Sequence, residues 1–263
     1  MTTDSPHVPD HSATLTHGTR MPLLGFGTWQ IKGDDAVRST SAALEAGYRH
    51  LDTATVYGNE GEVGRALAES GVARDDVFVT TKVPGDRAGR AIDTLRQSLD
   101  LLATDHVDLW LIHWPTEVAV ELWGELVEAR ESGLTREIGV SNFDTDLVDE
   151  VTKAIGATPA VNQIEWSPLL FDADTLAEHR QREVVLEGYS ALRGGTLEHP
   201  TIVGIADRLG RTPAQVIIRW HLQHRIVVIP KSVNPDRIRS NADVGGFTLT
   251  DDEMAALDAL GGS

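Results

Sequence analysis

Four short runs that read as strands each end on a polar side chain, and these ends recur about every 30 residues, the length of one strand–helix unit. The ends are Asp52, Lys82, His113 and Ser141. Val77–Thr81 and Val107–Ile112 are rich in β-branched and large apolar residues, as strands require. Segments of helical period precede, separate and follow the runs: Asp35–Ala46, Glu60–Leu67, Ala88–Leu102, Val118–Glu131 and Leu147–Ile155. Strict strand–helix alternation forces a parallel sheet covered by helices.

Counted from a glycine-rich strand at Leu24–Thr28, eight strands are expected, nearly all followed by a helix. The later strands are Glu137–Val140, Ala160–Glu165, Val184–Ser190 and Val227–Ile229. The fold class that follows is α/β: a (β/α)8 TIM barrel. Thr14–Thr16 and Met21–Leu23 flank Gly18 and are expected to form an N-terminal β-hairpin over one end of the barrel. Thr250 is placed to cap an extra C-terminal helix over Asp251–Leu260. A doubly wound sheet is the competing architecture. It wants a three-glycine turn between first strand and first helix, and Gly25-Phe26-Gly27 lacks the third glycine. Residues 1–12 are expected to be a flexible N-terminus and 13–263 a single barrel domain.

The chain has 263 residues, 41% of them hydrophobic, and carries a net charge of −17. An acidic surface of this kind argues against a nucleic-acid partner. No apolar run reaches the roughly 18 residues of a membrane span, and no signal peptide is visible at the N-terminus, so no membrane association is expected. Cysteine is absent, which excludes disulfides, zinc thiolates and thiol nucleophiles and fits a reducing, cytoplasmic setting.

In a barrel the C-terminal strand ends converge on one face, where Asp52, Tyr57, Lys82 and His113 would meet. A tyrosine is too weak an acid at its ordinary pKa of about 10. A neighbouring ammonium lowers that value, and Lys82 can supply it while Asp52 holds Lys82 in place. Tyr57 could then protonate an oxyanion, with His113 donating to the same oxygen. Each residue also has a bland reading: Lys82 as a partner for Asp52, His113 as a satisfied strand-end histidine, Tyr57 as packing. Metal-assisted hydrolysis would need more His and carboxylate ligands at the strand ends than Asp52 and His113, and no metal site is expected. The tetrad contains no hydride source, so reduction at this site requires a cofactor.

Three stretches resemble the aldo-keto reductase family: Gly47–Gly64, Leu109–Pro115 and Ile229–Asn241. The resemblance runs from about Leu15 to Leu260, and Met21–Trp29 is nearest to the bacterial branch that reduces 2,5-diketo-D-gluconate and small keto compounds. It implies an NADP-dependent oxidoreductase in which Tyr57 is the proton donor, supported by Asp52, Lys82 and His113. It also implies NADPH bound in extended form across the strand ends. Ser141, Asn142 and Gln163 would contact the carboxamide, and Tyr189 would stack on the nicotinamide. Ser190, Leu192 and Gly195 would flank the pyrophosphate, with Thr28 and Asp52 on the ribose side. Lys231, Ser232, Val233, Arg237 and Asn241 would hold the adenosine end, where a local basic cluster suits a 2′-phosphate. Arg193 stands where relatives commonly have glycine.

Trp29, Tyr57, His113 and Trp114 are expected to wall the substrate pocket. Few residues separate Trp114 from the next helix, and relatives usually continue beyond this chain's end into a tail over the pocket. The expectation is an open site for a small carbonyl substrate, broad in specificity, on a monomer. The alternative function is an NADP(H)-binding redox-sensing module with little turnover.

Overall fold

The structure, a computed structural model, describes residues 11–261. Eight parallel strands follow one another in chain order: β3 (Phe26–Gly27), β4 (His50–Asp52), β5 (Phe78–Val83), β6 (Val107–Ile112), β7 (Thr135–Ser141), β8 (Val161–Glu165), β9 (Val185–Tyr189) and β10 (Val227–Val228). A parallel bridge between Leu24 and Val228 joins the last strand to the first. The amide of Gly25 donates to the Val228 carbonyl (2.9 Å), and Val228 donates back to Leu23 (2.8 Å). The sheet is thereby closed into the expected (β/α)8 barrel.

The helices on its outer side are α1 (Asp34–Glu45), α2 (Glu60–Glu69), α3 (Ala91–Leu102), α4 (Ala119–Glu131), α5 (Thr145–Ile155), α6 (Ala173–Gln181), α7 (Pro200–Leu209), α8 (Pro213–Gln223) and α9 (Pro235–Ala242). Their apolar faces bury against the strands: Leu95, Leu99 and Leu102 of α3, and Leu122, Trp123 and Leu126 of α4, are in the core. The extra helix α10 (Asp251–Asp258) starts at a capping box, in which Thr250 and Glu253 satisfy each other's backbone amides. Its last residue, Asp258, accepts 2.7 Å bonds from Trp220 and His224 of α8 and the turn after it.

The hairpin is present but begins earlier than the sequence suggests. Its strands are β1 (Ser12–Thr14) and β2 (Arg20–Pro22), and Gly18 takes the left-handed turn position at φ 87°. Ser12 is therefore a strand residue rather than part of a flexible end, and the His11 carbonyl accepts from Leu23. Residues 1–10, where the rest of that flexible segment was expected, lie outside the described residues. The hairpin closes the barrel's N-terminal end: His17 meets the buried Glu137 of β7 through its backbone amide (3.0 Å) and ring nitrogen (2.9 Å).

The first barrel strand is shorter than the expected Leu24–Thr28. Its glycines serve closure more than ligand approach. A Cβ on Gly25 would lie 2.5 Å from His50 Nδ1, and one on Gly27 would lie 2.7 Å from the Ile229 carbonyl oxygen.

Candidate active site

Side chains alternate along a strand, so every second residue of β4, β5, β8 and β9 points into the barrel. At the C-terminal end this brings Asp52, Lys82 and Gln163 together. Lys82 lies inside β5, one residue short of its end, because that strand runs on to Val83. Its Nζ donates to both Asp52 oxygens at 2.7 Å and to the Thr53 carbonyl at 2.9 Å. Gln163 Nε2 donates to Asp52 Oδ2 at 2.9 Å. Lys82 and Asp52 are both buried. Burial alone would lower the Lys82 ammonium, but the charges of Asp52, Tyr57 and Glu187 outweigh it and hold it above its ordinary value.

Tyr57 ends a short 3-10 turn, Thr55–Tyr57, that follows β4. Asn59 anchors this loop by donating to the carbonyls of Thr28 and Ile31, 2.9 Å each. Lys82 Nζ lies 5.1 Å from the centre of the Tyr57 ring. The His113 ring sits edge-on to Tyr57 with centroids 5.6 Å apart. Burial raises the Tyr57 phenol, and the pull of Lys82 in the other direction does not cancel it. The expected net lowering by Lys82 is thus reversed. The ammonium is visible in the sequence, whereas the desolvation that outweighs it is set by packing. His113 is pushed down to about 4, first by burial and then by Lys82. Its imidazole is neutral at neutral pH, and one ring nitrogen can donate a hydrogen bond.

These residues open onto a cavity of about 910 Å³ across the strand ends. Trp29 and Trp114 stand at its mouth, 42% and 56% exposed. Arg193 lies over the Trp29 ring at 5.3 Å, so the loops after β3 and β9 touch there. Along one wall, Tyr189 donates to Asn142 Oδ1 (2.8 Å), Asn142 to Ser141 Oγ (3.0 Å) and Ser141 to the Gln163 carbonyl (2.8 Å). Gln30, Asn142 and Ser190 line the cavity and all have left-handed backbones. They are three of the six such non-glycine residues among those described, so backbone strain is concentrated at the site.

At the far end, Lys231, Ser232, Arg237, Ser240 and Asn241 line the same cavity. Asn234 caps α9 there by accepting from the amides of Asp236 and Arg237. Among the described residues neither Lys231 nor Arg237 forms a salt bridge. Two unpaired cations beside a helix N-terminus suit a phosphate.

The sequence profile of the Aldo/keto reductase family matches residues 23–261. The chain belongs to the aldo/keto reductase family. A protein of that description from Mycolicibacterium vanbaalenii is 50% identical over 252 residues, covering 94% of this chain and 90% of the relative. One from Mycolicibacterium smegmatis is 46% identical, covering 95% and 90%. Among solved structures, an aldo/keto reductase from Brucella melitensis superposes with a TM-score of 0.92 at 41% identity, covering 96% of this chain and 99% of that one. The aldose reductase of Schistosoma japonicum gives 0.91 at 30% identity, covering 95% and 91%. The aldo/keto reductase family comprises oxidoreductases that act on carbonyl compounds with a nicotinamide cofactor.

This aldo/keto reductase brings most of the expected site residues to one cavity. Asp52, Tyr57, His113, Trp29, Trp114, Ser141, Asn142, Gln163, Tyr189, Ser190, Leu192, Lys231, Ser232, Arg237 and Asn241 line it. Four expected residues do not. Lys82 lies behind Asp52 and Tyr57. Thr28 is buried and donates to the Asp52 carbonyl at 2.9 Å, holding the ends of β3 and β4 together. Gly195 caps the 3-10 turn Thr196–Glu198 with φ 82°. Val233 is exposed beside Ser232. The lining also includes Val56, Glu165, Leu197 and Thr212–Ala214, which sequence reasoning left out. Thr212 caps α8, and a capping box before a proline was the available signal.

Proposed function

We propose that the chain is an NADPH-dependent reductase of aldehydes and ketones in which Tyr57 is the proton donor. The observation that carries this is the approach of three groups: the Tyr57 phenol, the buried Asp52–Lys82 pair behind it, and neutral His113 beside it at 5.6 Å. The carbonyl oxygen of a substrate would lie between Tyr57 and His113. When bound, the nicotinamide supplies the hydride that forms the new C–H bond. His113 donates a hydrogen bond that orients the carbonyl and stabilises charge on its oxygen. Tyr57 gives its proton to the alkoxide, a stronger base than a phenolate, so the transfer runs downhill even from a raised phenol. Lys82 stabilises the phenolate left behind, and Asp52 keeps Lys82 charged and in place.

The far end of the cavity fits the cofactor. Lys231 and Arg237 are free to hold a 2′-phosphate, with Ser232, Val233 and Asn241 beside them. Ser141, Asn142 and Gln163 would hold the carboxamide, and Tyr189 would face the ring. Ser190 and Leu192 would flank the pyrophosphate, with Asp52 towards the ribose. The exposed tryptophans at the cavity mouth support small keto compounds as substrates, in line with the resemblance to the diketogluconate-reducing branch. A monomer working in the cytoplasm is the accompanying reading.

The test is NADPH oxidation against aldehydes, α-keto esters and sugars, comparing wild type with Tyr57→Phe. The expected loss in kcat is about 10²–10⁴-fold, with NADPH affinity retained. Unchanged turnover would remove Tyr57 as the donor. Tight NADPH binding with no turnover on any carbonyl would favour the redox-sensing module.

A further inference from the structure

TIM-barrel interiors are filled mainly by branched apolar side chains. In β9, Glu187 breaks that rule. It points into the barrel and is wholly buried. Its register neighbour on β8 is Gln163, the residue that donates to Asp52. Gln163 lies close enough to ease the burial of Glu187, but the bond its Nε2 makes is to Asp52, and neither Glu187 oxygen has a partner in hydrogen-bond geometry. His50 of β4 approaches to 3.8 Å, with its Nε2 already 3.2 Å from Thr80 Oγ1.

The charges in this closed compartment can be counted. Asp52 and Lys82 balance each other, so an ionised Glu187 would leave one uncompensated negative charge in a dry interior. Such a charge costs several kcal/mol and is avoided by keeping the proton. Burial, and then the charge of Asp52, push the Glu187 carboxyl up to about 8. Facing it from the neighbouring elements are His50 and Asp52 of β4, Lys82 of β5 and Tyr57 of the turn after β4. His221 of α8 packs behind the strand at Gly188. His50 and His221 are both neutral above about pH 4.

We propose that Glu187 is a positioning residue of the reduction described above, on which this inference rests: as a neutral acid it leaves Lys82 to Asp52 and Tyr57, and as a carboxylate it competes for Lys82 and weakens Tyr57 as a proton donor. Electrostatics gives the sign, because negative charge on Glu187 raises both Lys82 and Tyr57. No atom of Glu187 lines the cavity, so it acts only through the buried pair.

The test compares the pH dependence of kcat, at saturating NADPH and carbonyl substrate, in wild type, Glu187→Gln and Glu187→Met. The second variant removes the buried polar group altogether and covers the case in which the amide fails to fold. Wild-type kcat is expected to fall on the order of threefold to tenfold as pH rises through about 8, with KM little changed. Both variants should lose that limb. In parallel, infrared difference spectra should contain a protonated-carboxyl band that wild type loses near the same pH and the variants lack. A limb that survives in the variants, or a Glu187 already ionised well below that pH, overturns the role of Glu187 and leaves the reductase standing. A wild type that reduces no carbonyl overturns the reduction and Glu187's part in it, while the infrared titration still reports whether Glu187 carries the proton.

Discussion

Lys82 donates to both carboxylate oxygens of Asp52 at 2.7 Å, inside a barrel where both side chains are buried. Breaking a buried pair by removing one partner costs about 3–5 kcal/mol, because the other charge is left without compensation. Lys82→Met should therefore lower the unfolding free energy by about that amount in urea titrations. Adding Asp52→Asn to it should restore stability while leaving the double variant inactive. A Lys82→Met protein as stable as wild type would mean that the pair has no structural weight.

Lys231 and Arg237 line one end of the cavity without a carboxylate partner among the described residues. A charge-assisted hydrogen bond is worth about 1.5–3 kcal/mol. Reversing either charge to Glu should weaken NADPH binding by about tenfold or more, with a smaller effect on NADH. Titrations that follow quenching of tryptophan fluorescence would measure both. Equal losses for the two cofactors would detach this cluster from the 2′-phosphate.

Stability should fall on the acid side before the carboxylates titrate. Burial pushes His50, His113 and His221 each down to about 4, against about 6.5 in an unfolded chain. The unfolded state thus takes up protons that the folded state refuses. The stability contributed by the neutral rings is complete above about pH 6.5 and lost as pH falls towards 4. Glu187 works in the opposite sense. Its folded value of about 8 exceeds an unfolded value of about 4.3, so it costs stability as pH rises between them. Between about pH 5 and 6 the three rings outweigh the one carboxyl by about two protons, a slope of at most about 3 kcal/mol per pH unit. Urea midpoints that stay flat from about pH 7 to pH 5 would contradict neutral buried rings.

Local pattern carried much of this architecture. Strand β6 falls on the expected Val107–Ile112, because a run of β-branched and large apolar residues is readable within a few positions. The shortening of β3 was not readable, since it depends on where β10, about 200 residues later in the chain, crosses Gly25 and Gly27. The tetrad was legible from its spacing, but the direction of the Tyr57 shift was not, because desolvation is set by packing rather than by neighbours in sequence. Val56, Leu197 and Thr212–Ala214 reach the cavity from loops and a helix start, positions that only the closed barrel brings together. Glu187 left a readable trace, a lone carboxyl in Val185–Tyr189, yet whether it faced inward depended on register.

Gly27 joins barrel closure to the site. It pairs with Asp52 across β3 and β4, its amide donates to the Pro230 carbonyl at 3.2 Å, and it lines the cavity. A methyl group there would lie 2.7 Å from the Ile229 carbonyl oxygen, a backbone atom that can yield only by moving β10 and the Lys231 segment after it. Gly27→Ala should cost about 1–3 kcal/mol, the usual range for overpacking, and should weaken cofactor binding through Lys231. Gly204 provides the control. It sits exposed within α7 with no atom near the added Cβ, so Gly204→Ala should stabilise by about 0.4–1 kcal/mol through the unfolded state alone. Parallel urea titrations would separate the two, and a Gly27→Ala protein stabilised like Gly204→Ala would mean that the contact with Ile229 does not constrain closure.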